Sequence, residues 1–386
     1  MFSSRLPADL APNALTAALA RHRASGRALF DLTATNPTTA EIQYPDDLLA
    51  PLADPAAMRY RPEPFGLRSA REAVCRDFQR RGTTVAPEQV VLTASTSEAY
   101  SLLFKLLCDP AEQVLIPAPS YPLFDHLSSL DGVGMCRYRL EYHGRWTLDE
   151  HSLDAAWTPA VRAVLAVNPN NPTGSVLSRA EAEGLAQRCA GRGAALIIDE
   201  VFADYPLTGA AAAATTAPET PALTFRLGGL SKSAGLPQVK LGWFAVAGPD
   251  RLVSQALARL EIICDTYLSV STPVQVAAGS LIESGVHARE AIVERVRRNH
   301  ARLAVAVSTT PSIQLLHADA GWAAVLRVPA TRAEEEMVMD LLVRDSVLVH
   351  PGYFFDFEHE AFLVVSLLPP TDIFDEGVGR LVNRIQ

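Results

Sequence analysis

Short apolar runs alternate with longer stretches of helical spacing through the middle of the chain. The clearest runs cover residues 90–93, 113–116, 161–167, 194–198 and 241–246. Apolar runs of this length, separated by helical stretches, are typical of a buried, mostly parallel sheet with helices on both faces. Ligands bind such sheets at the carboxyl ends of the strands, so we expect the chemistry-bearing motifs to follow the runs.

The pattern changes in the last third of the chain. A helical stretch with charged faces covers about residues 286–304, and shorter strand-like runs follow at 323–328, 347–350 and 363–367. This order predicts an α+β region. One amphipathic helix is predicted within the first 30 residues, where it packs on that region.

A length of 386 residues, at about 150 residues per domain, favours two domains. We predict an α/β fold with a large domain over residues 40–280. Residues 1–39 and 281–386 would form the smaller α+β domain. The Ala-, Thr- and Pro-rich segment 209–222 is predicted to be a variable surface loop.

Composition narrows the function classes. With 48% hydrophobic and 20% charged residues the chain is not globally disordered, and its net charge of −9 argues against nucleic-acid or anionic-membrane partners. No apolar run reaches the ~18 residues of a membrane span, and we expect no signal peptide. Five cysteines without a C-x-x-C pair predict no zinc or thioredoxin site and favour a reduced, cytoplasmic setting.

Lysine is rare, since only three of the 34 Lys and Arg residues are lysines: Lys105, Lys232 and Lys240. Lys232 lies in Ser-Lys-Ser-Ala-Gly-Leu-Pro, directly after the run 224–230. An isolated lysine is most often a solvated surface cation, but this chain uses arginine for that purpose. An amine can lose its proton and form an imine, which an arginine cannot do. Lys232 is therefore a candidate nucleophile, and Lys240 a candidate phosphate-binding cation.

Two further motifs follow apolar runs. Clusters such as Asn168–Gly174 are commonly plain turns, but Asn171 lies between two prolines and can present its amide to a ligand oxygen. Asp199 and Glu200 end the run 194–198, where a buried carboxylate is costly unless paired. Asp199 is either a helix N-cap or the partner of a protonated ring nitrogen.

Hydroxyl and aromatic residues complete the set. Ser95, Thr96 and Ser97 lie between a predicted strand and helix, either as an ordinary cap or as a phosphate cradle. Tyr121, in Pro-Ser-Tyr-Pro, is either a packing residue or a ring that stacks on a flat cofactor. Tyr60 has the same two interpretations.

Together these residues resemble the class I/II aminotransferases, the fold-type-I enzymes that use pyridoxal 5′-phosphate (PLP), over roughly residues 30–380. The resemblance implies that Lys232 forms the internal aldimine and then moves the Cα proton. Asp199 would pair with the pyridinium nitrogen, Asn171 would hydrogen-bond the ring O3′, and Tyr121 would stack on the ring.

The resemblance also implies a phosphate site and a dimer. The phosphate would be held by Ser95, Thr96, Ser97, Ser231 and Lys240. Active sites in this family lie at a dimer interface, so Tyr60 would reach the phosphate of the neighbouring subunit. The segment at Asn36 and Pro37 would close over the substrate.

The chain departs from the family pattern at several positions. Phe202 stands where the family often has tyrosine, Gly229 where it often has serine, and Lys240 where it has a phosphate-binding arginine. A lysine lacks the two-pronged geometry of arginine.

The departure with the largest consequence is Val364, which stands where the family usually has an arginine that clamps the substrate carboxylate. Arg59 and Arg61, which flank Tyr60, are the first candidates for a replacement cation, or else are solvated surface residues. Trp322 is a candidate apolar wall. The expected function is transfer of an amino group between an amino acid and a 2-oxo acid. The alternative is a PLP-dependent lyase, decarboxylase or cyclising enzyme on the same scaffold, and a PLP-sensing transcription regulator is disfavoured because no basic helix-turn-helix pattern is visible.

Overall fold

The computed structural model describes residues 2–208, 220–268 and 270–386. Most of the surface loop predicted at 209–222 therefore lies outside the described residues. Within them, none of the helices is both long and apolar enough to cross a membrane.

An eight-stranded sheet forms the centre of the larger part of the molecule, in the order β2-β9-β8-β7-β6-β3-β4-β5. Its strands are β2 (Val90–Thr93), β3 (Gln113–Ala118), β4 (Gly134–Tyr142), β5 (Trp146–Leu148), β6 (Val161–Val167), β7 (Ala195–Asp199), β8 (Thr224–Gly229) and β9 (Gly242–Ala247). The five strands from β8 to β4 are parallel, β9 is antiparallel to its neighbours β8 and β2, and β5 is antiparallel to β4. All five predicted apolar runs are strands of this sheet.

Helices cover both faces of the sheet because its strands are apolar on both sides. They are α2 (Arg68–Arg80), α3 (Thr96–Leu107), α4 (Phe124–Asp131), α5 (Glu150–Ala156), α6 (Arg179–Arg192), α8 (Asp250–Tyr267) and α9 (Thr272–Ser284). Helix α6 shows how local sequence sets the bounds. Ser178 and Glu181 form a capping box at its start, and Gly193, with φ +67°, ends it.

A smaller antiparallel sheet has the order β10-β11-β14-β13, formed by β10 (Gln314–Leu315), β11 (Ala323–Arg327), β13 (His350–Pro351) and β14 (Phe362–Ser366). The helices associated with this sheet are α10 (Val286–Ser308), α11 (Glu334–Asp340) and α12 (Thr371–Ile385). Near the N-terminus, α1 (Ala14–Ala24) precedes β1 (Phe30–Asp31), which pairs in parallel with β12 (Val347–Leu348). The chain start thus joins the C-terminal elements, as the predicted α+β region requires.

The two parts share an apolar boundary beside the carboxyl ends of the parallel strands. Phe202 and Tyr205, which follow β7, belong to the same buried cluster as Trp322 at the start of β11. The short helix α7 (Leu230–Ser233) follows β8 at the same edge. This edge carries most of the candidate residues.

Candidate functional site

The ends of β2, β8 and β9 meet beside the short helix α7. Gly242, the first residue of β9, is paired with Thr93 on one side and Gly229 on the other. A Cβ on Gly242 would lie 2.9 Å from the backbone carbon of Ser95, so only glycine fits. This close approach places the chain just before β9, which carries Lys240, against the start of α3.

The start of α3 is both a cap and a potential anion site. The Ser95 hydroxyl accepts a hydrogen bond from the backbone N–H of Glu98 at 3.1 Å, so Ser95 is the N-cap of α3, as the capping interpretation predicts. Thr96 and Ser97 form the first helical turn and are half-buried. Backbone N–H groups and the helix dipole make such a helix start favourable for a phosphate.

The two other predicted phosphate residues flank this helix start. Ser231 is half-buried in α7, the helix that follows β8. Lys240 is exposed and has a left-handed backbone with φ 60°. The structure therefore brings Ser95, Thr96, Ser97, Ser231 and Lys240 to one edge of the sheet.

Lys232 differs from the other two lysines in its surroundings. Its amine lies 4.7 Å from the ring centre of Trp322 and 5.6 Å from that of Phe202. Burial lowers the pKa of Lys232 from 10.5 to about 8, and the negative charge of Asp199 opposes this shift. Lys105, by contrast, pairs with Asp131 at the surface. The amine of Lys232 thus becomes neutral, and nucleophilic, far more readily than that of a solvated lysine.

Asp199 is a buried carboxylate at the carboxyl end of β7. Its Oδ2 accepts the hydroxyl of Tyr100 at 2.6 Å, and its Oδ1 accepts the backbone N–H of Val201 at 3.1 Å. Burial raises the pKa of Asp199 to about 6, and these two hydrogen bonds oppose the rise. The residues after Asp199 form a turn, so Asp199 is not a helix N-cap.

The Asn- and Pro-rich segment 168–174 is a turn in which Asn168 and Asn170 make hydrogen bonds. Asn170 is buried and accepts the backbone N–H and the hydroxyl of Thr173. The backbone N–H of Asn168 donates to the carbonyl of Asp199 at 2.8 Å. Asn171 is half-buried within the same turn.

Gly174 also links this turn to the smaller sheet. A Cβ at Gly174 would lie 2.4 Å from the carbonyl oxygen of Ala320. The Gly174 carbonyl accepts the N–H groups of Asp319 and Ala320. This contact fixes the chain just before Trp322, whose indole covers the Lys232 amine.

The predicted aromatic residues fall into two groups. Tyr121 follows β3, is 38% exposed, and packs edge-to-face on Phe124 with ring centres 5.9 Å apart. Burial raises the pKa of its phenol, and the nearby negative charge of Asp199 raises it further. Tyr60 is 64% exposed, and Arg59 and Arg61 beside it are exposed too.

Val364 lies in an apolar environment on β14. It is 2% exposed and pairs with Val325 of β11 and His350 of β13. The same apolar cluster contains Trp146 and Phe357. At this position the strand therefore offers only the hydrocarbon side chain of valine.

Three further tyrosines donate hydrogen bonds at the site, although no motif in the sequence marks them. Tyr100 donates to Asp199, and Tyr205 donates its hydroxyl to the backbone carbonyl of Lys232. Tyr44 donates to the carbonyl of Gly235 at 2.7 Å. Tyr100 is not part of any motif singled out in the sequence, and its hydrogen bond to Asp199 joins positions 99 residues apart.

The described residues fit a cofactor that carries an aldehyde, a basic ring nitrogen and a phosphate. The amine of the half-buried Lys232, with its pKa lowered to about 8, is suited to attack an aldehyde. A buried carboxylate with spare acceptor capacity, Asp199, is suited to a protonated ring nitrogen. The start of α3, with its hydroxyls, is suited to the phosphate.

Comparison with known proteins gives a consistent result. A family model described as aminotransferase class I and II matches residues 35–381. The chain is 25% identical to the glutamate-pyruvate aminotransferase AlaA of Escherichia coli, over 93% of this chain and 90% of that protein. It is 27% identical to an S-alkyl-thiohydroximate lyase of Arabidopsis thaliana, over 56% of this chain and 48% of the lyase.

The fold is also similar to solved structures. An alanine aminotransferase from Pyrococcus furiosus superposes with a TM-score of 0.88 at 22% identity, covering 99% of both chains. At this level of identity the likeness establishes the fold.

Proposed function

This chain belongs to the class I and II aminotransferases and is a PLP-dependent aminotransferase of fold type I, and we propose that Lys232 is the residue that carries its cofactor. The observation that supports this role is the setting of Lys232, a half-buried lysine whose amine lies near the rings of Trp322 and Phe202 and near Asp199. When bound, PLP supplies an electron sink that weakens the Cα–H bond of an attached amine.

Asp199 and Asn171 would orient the ring of the cofactor. Asp199 would accept a hydrogen bond from the protonated ring nitrogen. Because Asp199 is buried at the end of β7, this charge interaction would be stronger than in water. Asn171 would donate its amide to the ring oxygen. Tyr121 would pack on the ring face, since its side chain is partly exposed and already lies near Asp199.

The phosphate would be held by Ser95, Thr96, Ser97, Ser231 and Lys240. Their support is the convergence of the ends of β2, β8 and β9 around the start of α3. In this arrangement Lys240 supplies the positive charge, and the helix N-terminus supplies directed N–H groups.

Lys232 would also serve as the acid and base that moves the substrate proton. Because its pKa is lowered to about 8, its amine would be able to take up the substrate Cα proton and to release it again near neutral pH. Trp322, Phe202 and Tyr205 surround it with aromatic side chains, which limit access of water.

We further propose that the substrate is larger than, or different from, the common acidic amino acids. Val364 cannot form the two charged hydrogen bonds that hold a carboxylate, and Trp322 adds an apolar wall beside the Lys232 amine. Arg59 and Arg61 remain the proposed replacement cations, supplied from an exposed segment.

The test of this substrate proposal is a panel of amino donors presented to the holoenzyme. Aspartate and glutamate are expected to be turned over poorly. Efficient turnover of either, with kcat/KM of roughly 10⁴ M⁻¹ s⁻¹ or more, would show that the missing arginine is fully compensated. The same panel separates transamination from lyase chemistry, because a transaminase converts its cofactor to the amine form with donor alone and a lyase releases product continuously.

Homodimerisation with shared active sites is proposed as well. Tyr60 is 64% exposed in the single chain, which leaves it available to the phosphate of a partner subunit. We also propose the two-domain division at 40–280 against 1–39 with 281–386, supported by the pairing of β1 with β12. A cytoplasmic location is proposed from the five free cysteines.

Mixing two inactive variants tests the shared site. Tyr60→Ala and Lys232→Ala homodimers are each expected to be nearly inactive, whereas subunits unfolded and refolded together form heterodimers with one intact site. Recovery of activity toward about a quarter of the wild-type level on an equal mixture supports the proposal. Full activity of Tyr60→Ala alone, or no recovery from dimers of confirmed mixed composition, contradicts it.

A further inference from the structure

The Asp199 carboxylate has a phenolic partner on a neighbouring helix. Tyr100, on α3, donates its hydroxyl to Oδ2 at 2.6 Å, and both side chains are buried. The opposite oxygen, Oδ1, accepts the backbone N–H of Val201 at 3.1 Å. One hydrogen-bond donor on each oxygen fixes the plane of the carboxylate and stabilises its negative charge.

The described part of the chain places other titratable groups near Asp199. Glu200 follows it directly, after the end of β7, but its carboxylate pairs with Arg226 at 2.6 Å and with Arg81 at 3.5 Å. Tyr121 faces Asp199 from the turn after β3, and Lys232 faces it from α7. Burial favours the protonated carboxyl, and the hydrogen bonds to Tyr100 and Val201 favour the charged one.

Tyr100 is suited to remain a donor at every working pH. Burial and the charge of Asp199 both raise the pKa of its phenol well above the ordinary value of 10. The ring is held edge-to-face on Phe124, with ring centres 5.3 Å apart. The hydroxyl is therefore both protonated and fixed in direction.

We propose that Tyr100 is a positioning residue that keeps the Asp199 carboxylate charged and oriented toward the ring nitrogen of the cofactor. This inference rests on the proposed role of Asp199. Without the hydroxyl, the buried carboxylate retains only one donor and takes up a proton more readily. A protonated Asp199 cannot neutralise a protonated ring nitrogen, so the cofactor is held less firmly and its electron demand falls.

A matched control separates this role from simple packing. Tyr138 is also fully buried in the large sheet, and its hydroxyl donates to the backbone carbonyl of Leu165 at 2.8 Å. Tyr100→Phe and Tyr138→Phe each remove one buried hydroxyl and keep the ring. Both lose a buried hydrogen bond, but only the first touches Asp199.

The first measurement uses the protein without cofactor. Difference infrared spectroscopy follows the buried carboxyl band against pH, and Asp199→Asn assigns it by removing it. Tyr100→Phe is expected to raise the titration midpoint of Asp199 by about one pH unit or more, and Tyr138→Phe to leave it unchanged. An unchanged midpoint in Tyr100→Phe would overturn the proposal. Incorporating 3-fluorotyrosine at position 100, a stronger donor with nearly the same shape, should lower the midpoint, and a rise would overturn the proposal equally.

The second measurement uses the holoenzyme. Tyr100→Phe is expected to weaken PLP binding about tenfold at pH 7 and to lower kcat with little change in KM, while Tyr138→Phe changes neither. If wild-type protein binds PLP on Lys232 but Tyr100→Phe matches it in affinity and kcat, the positioning role is wrong and the proposed function stands. If wild-type protein does not bind PLP, the proposed function itself fails, whatever the infrared midpoints show.

Discussion

Replacing Lys232 by methionine should stabilise the cofactor-free protein, because folding withdraws a charged amine from water at this position. Burial lowers the pKa of Lys232 from 10.5 to about 8. At pH 7 the amine is protonated in both the folded and the unfolded states. The shift of about 2.5 pH units therefore corresponds to a penalty of about 3 kcal/mol in the folded state.

Methionine should recover most of this penalty. It has a similar length and carries no charge, so it removes the penalty while still packing against Trp322 and Phe202. The attraction between the ammonium and these two rings is already part of the pKa shift, because the shift measures every interaction that differs between the charged and the neutral amine. The expected net stabilisation at pH 7 is therefore about 3 kcal/mol.

The pH dependence gives the sharpest signature. A lowered folded-state pKa means that the penalty is fully present well below pH 8 and falls as pH rises toward 10.5, where the lysine is neutral in the folded state and half-protonated in the unfolded state, which leaves about 0.4 kcal/mol. Urea unfolding of the two cofactor-free proteins between pH 7 and pH 10.5 measures this difference. Lys240→Met, at an exposed position, is the control and should change stability by less than about 0.5 kcal/mol at any pH. Equal stability of Lys232→Met and wild type at pH 7, or a difference that is as large at pH 10.5 as at pH 7, would refute the reasoning.

Other expectations follow from the same site. Lys240→Ala should weaken PLP retention more than Lys240→Arg, because a charged hydrogen bond to phosphate contributes roughly 1.5–3 kcal/mol, and equal dissociation constants would remove Lys240 from the phosphate site. Phe202→Tyr should add a donor near the cofactor ring oxygen and lower the pH midpoint of the absorbance change of bound PLP. Tyr205 cannot already supply that donor, since its hydroxyl is directed at the backbone of Lys232, so an unchanged or raised midpoint counts against the assignment. The rate at which cofactor-free protein captures PLP should rise with pH around a midpoint near 8, and a midpoint near 10.5 would mean that Lys232 is solvated.

The sheet could be predicted from the sequence because its strands are buried on both faces. The run 161–167 is apolar except for Arg162, the run 194–198 is apolar throughout, and few alternatives satisfy such a pattern. The motifs after these runs had to lie at one edge, since parallel strands end together. The antiparallel placement of β9 between β2 and β8 left no local signal, because it depends on which strand edges remain free.

The site was predictable where function demands a residue type within a fixed local spacing. Lys232 stood out because the chain otherwise avoids lysine, and Asp199 because a carboxylate ends a buried strand. Tyr100 and Tyr205 were not predicted as site residues. Their hydroxyls act on residues 99 and 27 positions away, and a tyrosine in an apolar helix face looks the same whether or not its hydroxyl has a distant partner.

The most direct test of the account is the identity of the residue that carries PLP. Borohydride reduction of the purified holoenzyme fixes the cofactor to its lysine, and peptide mapping by mass spectrometry locates the label. The account predicts one label per chain, on the peptide that contains Lys232, and none in Lys232→Met. A label on Lys105 or Lys240, or no label on a protein that has been saturated with PLP, would contradict it.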